Sequence, residues 1–218
     1  MFPKVLSISL LLSVSVLLNG CGEDKTPAAP AASPTSTSQT PIAPNRTLTS
    51  TAAGTVQLGM SLSEAIAALP NATSNTAADG EGIEWIEIAV EGKTLMSVLL
   101  NEDHTISLIR VFSPQFATPE GVAVGETVQS AADKLGGLTG IDFTEIESRE
   151  FAKFKDMPDN TEFQVMGKDG MAGVYANGET ATVTASPAAT ISSIWIMEDY
   201  GYFLRARGFA LSYTLAKC

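Results

Sequence analysis

The chain has 218 residues, 13 Lys plus Arg against 24 Asp plus Glu, a formal net charge of -11 and a hydrophobic fraction of 44%. An acidic surface of this kind is repelled by phosphate backbones and by anionic headgroups, which argues against nucleic acid and against peripheral docking on bare lipid. Two cysteines and one histidine leave no material for a disulfide framework or a Cys/His zinc cluster.

Met1 to Lys4 carry one positive charge, and Val5 to Leu18 form an apolar run of 14 residues. As a helix that run reaches about 21 Å, short of the ~30 Å hydrocarbon core. It therefore reads as a signal peptide and not as a membrane span. Leu18-Asn19-Gly20-Cys21 resembles the bacterial lipobox, with Asn19 standing where Ser or Ala is usual. The resemblance implies cleavage before Cys21, lipid on that cysteine and, because Gly22 and not Asp follows, an outer-membrane destination. Two or three acyl chains, at about 0.8 kcal/mol per buried CH₂, hold a protein stably where one would not. The mature chain would keep 198 residues and a net charge near -12, since Lys4 is lost. Lipid on Cys21 leaves Cys218 as the remaining thiol, so no internal disulfide is expected.

Residues 21–53 are rich in Pro, Ala, Ser and Thr and read as a disordered tether. Its span is roughly 30 Å as a coil and up to about 100 Å as an extended chain. Residues 54–218 are long enough for one domain with its own core.

That domain reads as two repeats, about 54–112 and 121–197, followed by an extension over 198–218. Gly59, Ser61, Ala65 and Leu69 match Gly125, Thr127, Ala131 and Leu135, and Thr105 to Phe112 matches Thr190 to Met197. In each first block a glycine turn leads to a hydroxyl residue that caps a helix. Ser61 and Glu64 form a capping box ahead of the stripe Leu62, Ile66 and Leu69, and Thr127 opens the second helix. Pro70 and Gly136 stop the two helices. Period-two alternation then predicts strands at Ile83–Val90, Thr94–Leu100 and Thr105–Phe112, and again at Thr144–Lys155, Glu162–Met166 and Ile191–Met197. A Gly-rich insertion, 167–189, holds room for a short strand at Met171–Ala176. The expected fold class is α+β, an internally duplicated helix plus three-stranded antiparallel meander with the helices packed on one sheet face.

The blocks Thr105 to Phe112, Gly121 to Gly136 and Ser186 to Ile196 resemble the sigma-E-regulated envelope lipoprotein family, whose function is unknown. The resemblance implies a compartment and no activity. Gly59-Met60-Ser61 and Leu69-Pro70 are also similar to the helix-opening turn and stop of small outer-membrane assembly lipoproteins, a likeness that capping alone accounts for.

The search for chemistry returns little. His104 lies in the acidic turn Asn101 to His104, where polar residues are favoured anyway. One histidine cannot serve a metal cluster and a base, no Gly-x-Ser-x-Gly elbow exists, and the glycines of 136–137 and 167–178 lack the Lys-Ser/Thr of a phosphate loop. Glu84, Glu87, Glu145, Glu147 and Glu150 alternate with apolar residues and read as solvated sheet faces, although a carboxylate pair for hydrolysis stays open. No catalytic residue, metal site or cofactor is expected. Trp85 and Trp195 read as sheet core or, as a sharper option, as a stacking platform. Tyr200, Tyr202, Phe203, Arg205 and Arg207 form a candidate partner-contact segment. The residues point to an envelope lipoprotein, anchored to a membrane by lipid with its domain in the periplasm, that contacts another envelope protein without catalysis. The alternatives are a module binding an envelope glycan, lipid or small ligand, and a carboxylate-based hydrolase.

Overall fold

The computed structural model describes residues 45–79 and 82–197. In chain order they form β1 (Ala52–Ala53), β2 (Val56–Gln57), α1 (Leu62–Ala67), β3 (Ala72–Ala78), β4 (Glu84–Val90), β5 (Lys93–Leu100), β6 (Ile106–Val111), α2 (Val128–Lys134), β7 (Leu138–Thr144), β8 (Arg149–Phe154), β9 (Thr161–Met166), β10 (Ala181–Thr182) and β11 (Thr190–Met197). Strands β1 and β2 pair with each other. The other nine build one antiparallel sheet in the order β3-β4-β5-β6-β11-β9-β8-β7-β10.

The α+β expectation is overturned, because the described residues are mostly β and their two short helices do not form a layer on a sheet face. The two helices have only six and seven residues, about two turns each. Their main strand contacts are with β3 and β7, toward the two ends of the sheet. The expected three-stranded meanders are also one strand short, since β3 follows α1 and β7 follows α2. Neither strand advertises itself. Strand β3 has no large apolar residue and five of its seven residues are exposed, so it carries no period-two signal. Strand β7 contains Gly140 and an irregular register between Leu138 and Gly140, which breaks the alternation.

The matched sequence blocks meet each other in the same way in both halves. Gly59 donates to the Ile106 carbonyl and Ile106 to that of Met60, both at 2.8 Å, while Gly125 donates to Ile191 at 2.9 Å and Ile191 to Glu126 at 2.8 Å. Bridges join Ser61 to Thr105 and Thr127 to Thr190. Strands β6 and β11 then pair with Arg110 opposite Trp195, the two residues that occupy equivalent places in the matched blocks. The caps follow the sequence: Ser61 and Glu64 exchange their bonds at 2.9 and 3.3 Å, and Thr127 accepts from the Ser130 amide at 3.1 Å.

Alternation on the central strands splits the core in two. Ile194 and Ile196 of β11, Ile109 and Val111 of β6, and Met96 and Val98 of β5 join the main cluster, to which Ala65, Val128 and Ala131 of the helices also belong. Trp195, Met197, Leu108 and Leu99, at the intervening positions, form a second cluster with Trp85 and Phe151. Successive side chains of a strand point to opposite faces, so the two clusters lie on opposite sides of the sheet.

The folded part begins earlier than composition suggests, because Leu48 (1% exposed) and Ala53 (0%) already belong to the main core. Leu48 donates to the Ala117 carbonyl at 2.8 Å, so the tether ends before residue 53. Gly54 sits at φ +66°, and a Cβ there would lie 2.3 Å from the Asn45 carbonyl oxygen and 3.0 Å from Phe116. Gly54→Ala is expected to destabilise the domain by roughly 2–3 kcal/mol, from the left-handed backbone and the clash together. A shift in the urea midpoint checks it, and an unchanged midpoint would mean that this close approach is not kept in solution.

Candidate functional site

The second face of the sheet gathers the chemistry. One row of registered neighbours crosses it: Asn75, Glu87, Ser97, Arg110, Trp195 and Glu162, from β3 to β9. Trp85 and Trp195, 110 positions apart in the chain, meet edge to face with centroids 5.7 Å apart, and Phe151 meets Trp195 at 5.5 Å. With 5% and 1% of their surfaces exposed, both rings are used in this cluster. The exposed stacking platform considered from the sequence therefore does not form at these tryptophans.

Cations close over the rings. The Arg110 guanidinium carbon lies 4.9 Å from the Trp195 centroid, 5.8 Å from that of Trp85 and 4.8 Å from that of Phe112, and Arg149 lies 5.5 Å from Trp195. Attraction to the ring quadrupoles offsets part of the cost of desolvating these charges. Hydrogen bonds supply more: Arg110 donates to Ser193 Oγ at 3.3 Å and to Gln164 Oε1 at 2.9 Å, and Trp195 Nε1 donates to the same Ser193 oxygen at 2.8 Å. Burial first, and then the neighbouring Arg149, push the Arg110 pKa down to about 10, which still leaves it cationic at neutral pH. Arg149 pairs with Glu147 at 3.1 Å and with Asp79 at 3.8 Å. Asp79 in turn accepts from Trp85 Nε1 at 2.9 Å.

Glu162 is the group in this neighbourhood poised near neutrality. Burial, with smaller contributions from Asp142 and Glu147, raises its pKa from 4.5 to about 7 against the opposing pull of Lys153. A carboxyl tuned in this way suits proton transfer. The acids whose charge reaches it are committed elsewhere, however: Asp142 to Lys153 and Glu147 to Arg149. A folded-state pKa above the unfolded one means that protonated Glu162 favours folding, fully so below pH 4.5, and that this contribution fades as pH rises to about 7. Glu162→Gln is therefore expected to raise the urea midpoint at about pH 8 and to leave it unchanged at about pH 4. Equal midpoints for both proteins at the higher pH would contradict this.

The glutamate pattern read from the sequence divides under the structure. Glu84 and Glu145 are exposed as expected, whereas Glu147 is bound to Arg149 and Glu150 is buried. Glu150 accepts from the amides of Ala172 and Gly173 at 2.6 and 2.7 Å and from the Tyr175 hydroxyl at 2.8 Å. It fastens the 167–189 insertion to the sheet. No local signal announces this, because its partners are backbone amides over twenty residues away. The strand expected at Met171–Ala176 reduces to a bridge between Gly173 and Ala185, and β10 supplies the pairing to β7.

His104 stands in an exposed turn at φ 64°. Its neighbour Asp103 accepts from the Thr105 hydroxyl at 2.7 Å, and bonds to Thr105 hold the Asp103 carboxyl below its ordinary pKa. Among the described residues no three His, Cys, Asp or Glu gather as a metal site, and no helix is long and apolar enough to cross a membrane. A cleft of about 330 Å³ opens between Val128, Gln129 and Asp133 of α2, Leu138 of β7, and Val183 and Thr184 of the insertion. Cys21, Tyr200, Tyr202, Phe203, Arg205, Arg207 and Cys218 lie outside the described residues.

No family model matches the sequence, and no curated protein matches it. Among solved structures it is similar to the uncharacterized protein yfeY from Escherichia coli, with a TM-score of 0.49 and 18% identity, over 70% of this chain and 99% of that one. At that level the likeness carries no functional argument.

Proposed function

We propose that this chain is a lipid-anchored bacterial envelope protein whose domain acts by non-catalytic contact with another envelope protein. One observation carries the non-catalytic part of the reading. The two arginines of the second face are engaged, Arg110 with Ser193 and Gln164 and Arg149 with Glu147 and Asp79, which supports a structural frame over a reactive centre. The anchor rests on Leu18-Asn19-Gly20-Cys21 and on the resemblance to the sigma-E-regulated envelope lipoproteins. The contact is assigned to Tyr200, Tyr202, Phe203, Arg205 and Arg207, where aromatic and Arg side chains, the types enriched at interfaces, stand close together in sequence. Mass spectrometry of the protein extracted from membranes tests the anchor. A mature chain beginning at acylated Cys21 is expected, and an unmodified soluble chain would remove the reading's foundation.

A second reading, a module for an envelope glycan, lipid or small ligand, is favoured by the cleft beside α2, whose roughly 330 Å³ lies at the lower end of ligand-site sizes. Val183 lines the cleft and is 70% exposed. Protection of residues 128–138 and 183–185 from hydrogen exchange by an added wall glycan or lipid would support that module, and unchanged exchange across such a set would count against it.

A further inference from the structure

The two outer edges of the large sheet are treated differently. At one end the insertion shields β7: β10 pairs with it and the Phe143 amide donates to the Thr180 carbonyl at 2.7 Å. At the other end β3 pairs with β4 through seven consecutive residues without a bulge, and no described strand takes its outer edge. The β3 sequence, Ala-Thr-Ser-Asn-Thr-Ala-Ala, has no charge and no proline, and Thr73, Ser74, Asn75 and Thr76 are all exposed. Charges, prolines and bulges are the devices that usually protect such an edge.

The ladder fixes which groups of β3 point outward. Asp79 donates to the Ile83 carbonyl at 3.0 Å, whereas the Ala72 amide turns the other way, to the Leu69 carbonyl at 3.1 Å. Alternate residues of an antiparallel strand bond to opposite sides, so Thr73, Asn75 and Ala77 serve β4. Ser74, Thr76 and Ala78 hold their amides outward, and Ala72, Ser74 and Thr76 their carbonyls.

We propose that β3 pairs antiparallel with β3 of a second copy of this chain, about a two-fold axis at Asn75, so that two sheets join into one. A two-fold contact needs a surface that complements itself, and this strand supplies one. With Asn75 opposite its counterpart, Ser74 faces Thr76, Thr73 faces Ala77 and Ala72 faces Ala78, each pair small and uncharged. The outward amides and carbonyls then meet in about six hydrogen bonds. A foreign peptide added to an edge draws its specificity from pockets for alternate side chains, but the cleft beside α2 lies next to β7, away from β3.

Charge also selects the place. A formal charge of -11 makes two copies repel each other on most approaches, whereas β3 brings no charge. Glu87 stands opposite Asn75 on β4. The two Glu87 of a pair would be three strand spacings apart, about 14 Å, beyond the ~8 Å screening length at physiological salt. Asp79, just past the strand, already faces Arg149 at 3.8 Å. This contact is independent of the partner-contact reading of Tyr200 to Arg207.

Single cysteines in the full chain, with Cys21→Ser and Cys218→Ser to remove competing thiols, test the proposal. Asn75 and its counterpart form a non-hydrogen-bonded pair with Cα atoms about 4.5 Å apart, within disulfide range. Two Ser74 or two Thr76 stand on the diagonal, about 7–8 Å apart, beyond that range. Asn75→Cys is therefore expected to give a disulfide-linked dimer under mild oxidation at least tenfold faster than Ser74→Cys or Thr76→Cys, at positions that are also exposed. Equal rates at the three positions would mean random collision, and no dimer from Asn75→Cys would leave the edge to another occupant. Either result overturns the assignment. In a parallel readout by sedimentation, the natural sequence should dimerise, and Asn75→Lys, which sets like charges opposite each other, should weaken the dimer roughly tenfold or more. Mixing Asn75→Lys with Asn75→Asp should restore it. A natural sequence that stays monomeric, or a dimer indifferent to Asn75→Lys, would equally reject the proposal.

Discussion

Glu150→Ala is expected to destabilise the domain by about 3–4 kcal/mol, the combined effect of three lost partners and a charge-assisted network. The carboxylate is 6% exposed and binds two amides of the insertion and the Tyr175 hydroxyl within 2.8 Å. Removing it leaves the Ala172 and Gly173 amides facing apolar surroundings, where an unsatisfied donor costs about 1–3 kcal/mol. Partial opening of the insertion to water keeps the total below the simple sum. Tyr175→Phe deletes only the hydroxyl bond and is expected to cost about 1 kcal/mol. The Tyr175 hydroxyl titrates above its ordinary value because it is buried first, and then because Glu150 accepts its proton in a hydrogen bond. Urea unfolding measures both losses, and hydrogen exchange of 172–176 should accelerate in Glu150→Ala. A loss under about 0.5 kcal/mol, the size of an ordinary surface substitution, would show that Glu150 does not hold the insertion.

Trp195→Ala is expected to cost about 4 kcal/mol, near the upper part of the range for large-to-small core changes. The ring is 1% exposed, contacts Trp85 and Phe151 edge to face, and has the Arg110 and Arg149 guanidinium carbons 4.9 and 5.5 Å from its centroid. Its deletion opens a cavity and also leaves two partly buried cations without the ring that stabilises them. Trp195→Phe keeps an aromatic face but loses the bond to Ser193, and should cost about half as much. Near-ultraviolet circular dichroism should lose the signal of the coupled tryptophans in both variants. A cost below about 1 kcal/mol for Trp195→Ala would mean that the cluster is loosely packed.

These two residues also show what the sequence can and cannot convey. Trp195 sits in a run of β-branched and apolar residues whose period marks β11 correctly to its last residue, Met197. That the ring meets Trp85 depends on the β6–β11 pairing, a long-range event that no local pattern encodes. The strands that bury one face strongly, β4, β5, β6 and β9, lie within a few residues of their expected bounds. Strand β3 buries almost nothing and stays silent, and the same absence of pattern hides the size of the sheet. The fold class fails for that reason. Helices α1 and α2 announce themselves through caps and apolar stripes, while β3, β7 and β10 go unread, so the proportion of helix is overestimated. Glu150 illustrates the same limit at the site, since a glutamate bound to backbone amides looks like any solvated one until the chain is folded.

The reading of this domain as a membrane-tethered contact module is tested most directly by site-specific photocrosslinking in intact cells. A photoreactive phenylalanine analogue at Tyr202 or Phe203 is expected to give one discrete, reproducible adduct, which disappears with Cys21→Ser, while the same probe at Glu84 gives none. Monomer alone from every position, or an adduct pattern that is indifferent to Cys21, would contradict it.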